Sequence, residues 1–207
     1  MEGRCMPIDP SSFHRVNVAD TCAVWNILSS ETLYSAAMQA GCSFCVTGVV
    51  QYELLVKPRS QRKASDIELR GRLEREPAEG GFPTHACTIE DLRMVSALEE
   101  RKRLGKGELS SIALAMRLYQ AVITDDRKAA KLSRDAGHGL TQTTPHLLSW
   151  LEFNAALSDA DKRAVLAQHA ELNGTLVRPF EAALEIARQC KANAGDAVPP
   201  PTATAPA

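Results

Sequence analysis

Five acidic residues stand where carboxylates could be gathered into one site: Asp20, Glu53, Glu108 and the adjacent Asp125 and Asp126. Asp20 closes the short apolar run Val16-Asn-Val-Ala, and Asp125-Asp126 follows Ala121-Val-Ile-Thr124. Each run reads as a buried strand that presents an acid at its carboxyl end. Glu53 and Glu108 fall near the beginnings of helical stretches. In open α/β sheets the ligand crevice lies at the carboxyl ends of the strands. Right-handed crossovers put those ends on one edge, so four separate segments can deliver carboxylates to one place. Like charges a few Å apart repel and raise one another's pKa, and a divalent cation relieves this. Hard oxygen donors select Mg²⁺ or Mn²⁺. Such an ion polarises a phosphodiester and lowers the pKa of a bound water. Hydrolysis at phosphate then needs no Ser, Cys or His nucleophile, and no Ser/His/Asp or G-x-S-x-G arrangement stands out.

Each acid also has a plainer use. Asp20 could cap the helix after it, and Asp126 the helix from Arg127. Glu53 could be a surface residue, and Glu108 could favour a helix N-terminus through the dipole. The case rests on the ordered set across four segments.

The elements that must position these acids alternate along the chain. A helix from Thr21 to Ser29 would place Cys22, Trp25 and Leu28 together. A second runs from Ser30, its cap, to Ala40, where Gly41 stops it. Ser43–Thr47 reads as a strand, and Val49–Val56 as a helix carrying Glu53 and closed by Pro58. Residues 60–76 are charged and helical in pattern, and Glu79-Gly-Gly-Phe-Pro83 is a loop. His85–Ile89 suits a short strand. Glu90–Arg103 suits a helix with Leu92, Val95 and Leu98 on one face. Glycines at 105 and 107 break the pattern before a helix starts near Glu108. The strand Ala121–Thr124 is followed by a helix from Arg127 to Ala136, ended by Gly137. Strand–helix alternation of this kind predicts a parallel α/β sheet. From Thr144 the pattern is helical, with Ser158 as a cap. From about Lys191 the Ala/Pro-rich tail lacks the apolar bulk to fold alone.

With 207 residues, 44% of them hydrophobic, the chain can bury one domain and an appended helical segment. The stretch before Asp20 holds Arg4, Asp9, His14 and Arg15, which suits neither a signal peptide nor a membrane span, so a cytoplasmic location is expected. The six cysteines are then expected as free thiols. Cys42 and Cys45 form a C-x-x-C without the second pair a structural zinc site takes, and read as small residues flanking Phe44 at a strand entry. Net charge is −1, with 24 basic and 25 acidic residues, so no overall basic footprint for nucleic acid exists. Basic residues nevertheless group locally: Lys57, Arg59, Arg62 and Lys63; Arg101, Lys102, Arg103 and Lys106; Arg127, Lys128, Lys131 and Arg134. Any one group could be a solvated helix face, but each lies beside one of the acids.

These residues resemble the PIN-domain family, including the VapC-type toxin ribonucleases. Val16-Asn-Val-Ala-Asp-Thr-Cys-Ala-Val-Trp-Asn-Ile-Leu28 is similar to the family's opening strand, Asp, small residue and helix. Val46-Thr-Gly-Val-Val-Gln-Tyr-Glu53-Leu-Leu resembles the second motif, a strand leading into a helix with Glu. Gly105-Lys-Gly-Glu108 with Ser-Ser-Ile-Ala-Leu-Ala resembles the Gly-Glu form of the third, where many toxin members have Asp. Val122-Ile-Thr-Asp-Asp-Arg-Lys-Ala-Ala130 resembles the fourth.

The resemblance covers about residues 14–150. It implies a PIN-like three-layer α/β fold, a central parallel sheet flanked by helices; the C-terminal helical extension over 151–190 and the disordered tail over 191–207 are read from pattern and composition and are not explained by the motifs. It further implies a Mg²⁺- or Mn²⁺-dependent ribonuclease, often a dimer and often paired with an antitoxin. On this reading Asp20, Glu108 and one of Asp125 and Asp126 hold the metal. Glu53 orients or activates the attacking water. Thr124, Lys106, Arg127 and Lys128 would contact a ligand or substrate phosphate. The Thr-x-Asp register favours Asp126 and the strand end favours Asp125. The alternative is a non-catalytic PIN-like module that binds RNA or protein, for which Glu108 in place of Asp leaves room.

Overall fold

Val18 and Ala19 are both fully buried and face opposite sides of one sheet, as do Val122 and Ile123. Burial on both faces is what a parallel sheet with helices on each side requires. The computed structural model describes residues 8–57, 63–75 and 81–196. The chain runs β1 (Val16–Ala19), α1 (Thr21–Leu28), α2 (Glu31–Gln39), β2 (Ser43–Thr47), α3 (Gly48–Leu55), α4 (Ala64–Arg75), β3 (Thr84–His85) and α5 (Ile89–Arg101). It continues through α6 (Lys106–Leu118), β4 (Ala121–Ile123), α7 (Arg127–Asp135), β5 (Thr141–Gln142), α8 (Thr144–Phe153), α9 (Asp159–Glu171) and α10 (Val177–Asp196).

The five strands form a parallel sheet in the order β3-β2-β1-β4-β5. It is the central layer of a three-layer α/β fold. One core, around Phe44, Val46, Ala19 and Ile123, is closed by α1–α4 and α8–α10. The other, around Val18 and Val122, is closed by α5, α6 and α7. The chain leaves β1 toward one face and β4 toward the other. The crevice between these neighbouring strands is therefore the topological switch point of the sheet.

Capping explains most helix starts. Ser30 accepts a hydrogen bond from the Leu33 N–H at the start of α2, and Gly41 (φ 79°) lets the chain turn after it. Thr88 with Asp91, and Ser158 with Asp161, form capping boxes for α5 and α9.

Several expectations need correction. The buried face of α1 is Ala23, Val24, Ile27 and Leu28, while Cys22 is exposed. In α5 the inner face is Asp91, Val95 and Leu98, and Leu92 is exposed. Asp91 replaces Leu92 because Arg117 of α6 reaches its carboxylate at 2.7 Å, and a buried acid is tolerated when so paired. The short strand is Thr84–His85, since Thr88 already caps α5. β5 was not foreseen; two residues carry no periodicity. Cys42 packs with Phe44 in one core and Cys45 against the other, on opposite faces of the sheet, so these two thiols cannot share an ion. Helix α10 continues past Lys191 to Asp196, into the stretch whose composition suggested a tail. Arg59, Arg62, the start of the Glu79–Pro83 loop and residues 197–207 lie outside the described residues.

The extension is built into the first core through Leu151, Leu157, Val165, Phe180 and Leu184. Its pivot is His169, fully buried and 4.8 Å from the Phe180 ring, centroid to centroid. Gly174 lies so close that a Cβ there would stand 2.2 Å from the imidazole Nε2. With Phe180 packed against it, the ring has nowhere to go. Gly174→Ala should cost roughly 1–3 kcal/mol of stability, as overpacking does. Urea titration followed by circular dichroism checks this; an unchanged midpoint would mean that the α9–α10 turn yields freely.

Candidate functional site: a carboxylate cluster at the switch point

Asp20 follows β1 and Asp125 follows β4, and these strands pair with Ala19 opposite Ile123. Asp20 is the N-cap of α1: one carboxylate oxygen accepts the Ala23 N–H at 2.7 Å. The other accepts the hydroxyl of Thr124. The side chain is 1% exposed. Burial pushes its pKa up to about 7; the Thr124 and Ala23 hydrogen bonds pull it down, and the charges of Asp125 and Glu108 push it further up.

Asp125 is held on three sides. Its Oδ2 accepts the Asn26 amide at 2.8 Å and the Thr144 hydroxyl at 2.5 Å, and its Oδ1 accepts the Thr144 N–H at 2.8 Å. Burial raises its pKa, and the hydrogen bonds from Thr144 and Asn26 oppose that. Asp126 does different work. Its Oδ1 caps α7 by accepting the Lys128 and Ala129 N–H groups at 2.6 and 2.9 Å. It stands at the rim, where the Cys22 thiol feels its charge together with those of Asp20, Glu108 and Asp125. The strand-end register therefore gives the carboxylate facing Asp20, and the Thr-x-Asp register gives the cap.

Glu53 projects from α3 and accepts the Thr21 hydroxyl at 2.7 Å. Lys57 stands 3.8 Å away. The Glu53 carboxylate lies against Gly107, where a Cβ would stand 2.4 Å from Oε2 and 3.0 Å from the Thr21 Oγ. Gly107 is thus the close approach that brings α6 onto α3. The α6 side is fixed by Ser110, whose hydroxyl bonds Thr47 at 2.8 Å and the Gly107 carbonyl at 3.0 Å. Glu108, at the third position of α6, turns back over Gly105, where a Cβ would meet its Oε2 at 2.2 Å. Glycine at 105 leaves room for that carboxylate at the positive end of the helix.

Among the described residues, no three His, Cys, Asp or Glu side chains stand close enough to hold a metal ion as they are placed. The acids share one neighbourhood, and each is turned to a local partner: Glu53 to Thr21, Glu108 over Gly105, Asp125 to Asn26 and Thr144. None of the ion pairs among the described residues joins a Lys or Arg to Asp20, Asp125 or Glu108. The donor set is all oxygen and lacks a counter-charge, which fits Mg²⁺ or Mn²⁺ by chemistry.

The other sequence candidates divide. Thr124 donates to Asp20 and accepts the Asp126 N–H, so it positions a carboxylate. Lys106 is paired with Glu99 of α5. Arg127 and Lys128 are exposed in the first turn of α7, where the dipole disfavours cations. Their placement there is unfavourable for the helix alone and favourable for an anion approaching it. Sequence reasoning missed Thr21, Asn26, Thr144 and Gly107. Only Gly107 carried a signal, as a glycine inside the start of a helix.

No protein-family model matches the chain, and no curated protein matches it.

A carboxylate whose folded pKa is raised destabilises the fold where it is charged. Relative to an unfolded Asp near 3.8, Asp20 costs nothing at low pH, and its cost grows as pH rises through that value to about 7. In chelator, Asp20→Asn, which keeps a good cap, should raise stability at about pH 8 by roughly 2–4 kcal/mol and by far less at about pH 4.5. Thermal melts at the two pH values check the sign; a variant less stable than wild type at the higher pH would show that Asp20 is not strained there.

Proposed function

We propose that this chain is a divalent-metal-dependent endoribonuclease of the PIN-domain type. The observation that carries the proposal is the buried Asp20, beside Asp125 and Glu108 at the switch point, with no basic side chain among the described residues paired to any of the three. Asp20, Glu108 and Asp125 are the residues to hold Mg²⁺ or Mn²⁺, and Asp126 stands at the rim. The bound ion supplies charge neutralisation for a phosphodiester and acidity for a water.

Glu53, whose carboxylate lies against Gly107, would orient an attacking water and accept its proton. Thr21 fixes one Glu53 oxygen through its hydroxyl, and Thr124 aims Asp20. Arg127 and Lys128 meet substrate phosphate at the mouth of the site. Lys106 would first have to leave Glu99. The single-stranded RNA substrate, an antitoxin partner, a toxin role, a homodimer and a cytoplasmic setting belong to the same proposal and rest on the resemblance of the four motifs. No helix among the described residues is long and apolar enough to cross a membrane.

A non-catalytic RNA- or protein-binding module is the second reading, favoured by the Glu108 carboxylate lying back over Gly105. Calorimetric titration with Mn²⁺ separates the two, since a binding module needs no carboxylate-dependent site.

The direct test incubates the purified chain with single-stranded RNA and Mn²⁺ or Mg²⁺. Cleavage should stop in chelator and fall at least ~100-fold in Asp20→Asn. Equal cleavage by both proteins would sink the mechanism. Gly107→Ala should leave the fold intact, because the atoms nearest the new Cβ are side-chain ends, those of Glu53 and the Thr21 hydroxyl. It should lower kcat by roughly tenfold or more by breaking the Glu53–Thr21 contact. Full activity in that variant would remove Glu53 from the proposed role.

A further inference from the structure

Helix α1 has eight residues, with Asp20 at its N-cap. The last carbonyls of any helix lack partners within it. In α1 these are met from far along the chain. The Leu28 carbonyl accepts from Arg72 of α4 at 3.0 Å. The Asn26 carbonyl accepts the Ser29 hydroxyl at 2.6 Å. That hydroxyl is in turn 2.6 Å from His169 Nδ1 in α9.

The direction of this chain of hydrogen bonds is fixed by chemistry. The Leu176 N–H can only donate, and it meets His169 Nε2 at 2.9 Å. Nε2 is therefore unprotonated and the neutral ring carries its hydrogen on Nδ1. Nδ1–H donates to Ser29, and Ser29 donates to the Asn26 carbonyl. The neighbouring residue, Gln168, holds the start of α2, accepting the Ser30 hydroxyl at 2.7 Å and the Thr32 N–H at 3.2 Å. Two consecutive residues of the C-terminal extension thus hold the α1–α2 junction, His169 on the α1 side and Gln168 on the α2 side. Asn26 belongs to both systems, because its side-chain amide donates to Asp125 at 2.8 Å.

We propose that His169 is a positioning residue of the carboxylate site: through Ser29 it fixes the last turn of α1 and so keeps the Asn26 amide on Asp125. Its catalytic consequence rests on the nuclease reading; the mechanical link does not. The helical extension, which follows β5 in the chain, is then part of the site's scaffold.

Two substitutions separate positioning from folding. Asn at 169 places an amide donor near the Nδ1 position and loses the acceptor for Leu176. Gln places a carbonyl near Nε2 and loses the donor to Ser29. Each gives up one buried hydrogen bond, a similar loss of stability. Only His169→Gln should free Asn26. In ¹⁵N spectra the Asn26 side-chain amide protons should exchange faster with water in His169→Gln than in wild type or His169→Asn. With Mn²⁺ and RNA, His169→Gln should lose about tenfold in kcat with KM within about twofold, while His169→Asn stays within about threefold of wild type. Ser29→Ala, a milder change, should reproduce the Gln phenotype, and adding it to His169→Gln should cost little more.

Equal behaviour of the Asn and Gln variants, in exchange or in kcat, would overturn the proposal and leave His169 a packing residue. A wild-type protein that cuts no RNA would defeat the nuclease reading alone, because the Asn26 exchange comparison still decides the coupling.

Discussion

A carboxylate taken out of water loses hydration worth several kcal/mol unless donors or cations replace it. Among the described residues Asp20 receives two donors, the Ala23 N–H and the Thr124 hydroxyl, and it faces two other acids. Its position is nevertheless dictated by the fold. β1 is the middle strand of the sheet, buried on both faces, and the residue after it must start α1. A cap is needed there, and Asp is a good one. Local helix chemistry and the proposed chemistry of the site therefore ask for the same residue. What the helix does not ask for is Asp125 beside it, which adds repulsion to burial.

The surroundings of the cluster are arranged to hold charged groups in place without neutralising them. Hydroxyls and amides from Thr124, Thr144, Asn26 and Thr21 contact the acids. Among the described residues, Lys57 comes within 3.8 Å of Glu53, and the other basic side chains near the site stand at the start of α7 or pair elsewhere, as Arg117 does with Asp91 and Lys106 with Glu99. Neutral donors orient a carboxylate and leave its charge for a ligand; a Lys or Arg in the same place would use it up. The contrast with Asp91 is informative. That acid is also buried, but Arg117 reaches it and its pKa is lowered, with burial opposed by the Arg117 and Thr88 hydrogen bonds. One fold thus buries one acid as a structural ion pair and another without a counter-ion among the described residues.

The sheet and most helices were legible because their signals are local. Apolar runs gave β1, β2 and β4, and Ser30, Gly41 and Ser158 marked helix ends through capping and left-handed backbone. The positions of Asp20 and Asp125 on one edge followed from parallel connections. What sequence could not show was which donor meets which acid. Asn26, Thr21 and Thr144 reach the site only because α1, α3 and α8 pack against one sheet, and a polar residue in a helix has many solvent-facing explanations. The different surroundings of Asp125 and Asp126 come from the backbone, which turns one residue inward at the strand end and leaves the next to cap α7. The faces of α1 and α5 were misjudged for a related reason. Cys22 and Leu92 look apolar in sequence, while the helix axis is set by Val24 and Ile27 in one case and by the Asp91–Arg117 pair in the other.

Helix α1 shows why the extension cannot be treated as a separate appendage. An eight-residue helix is too short to be stable alone, so its orientation is set by what meets its two ends. Asp20 holds the first end. Arg72 and the Ser29–His169 pair hold the second, and His169 is itself locked by Gly174, Phe180 and the Leu176 N–H. A rotation of α1 by a small angle would carry Asn26 away from Asp125 and change the Asp20 cap at the same time. The geometry of two carboxylates therefore depends on a buried imidazole in α9, and the core shared by α8, α9 and α10 with α1 is what holds that imidazole still.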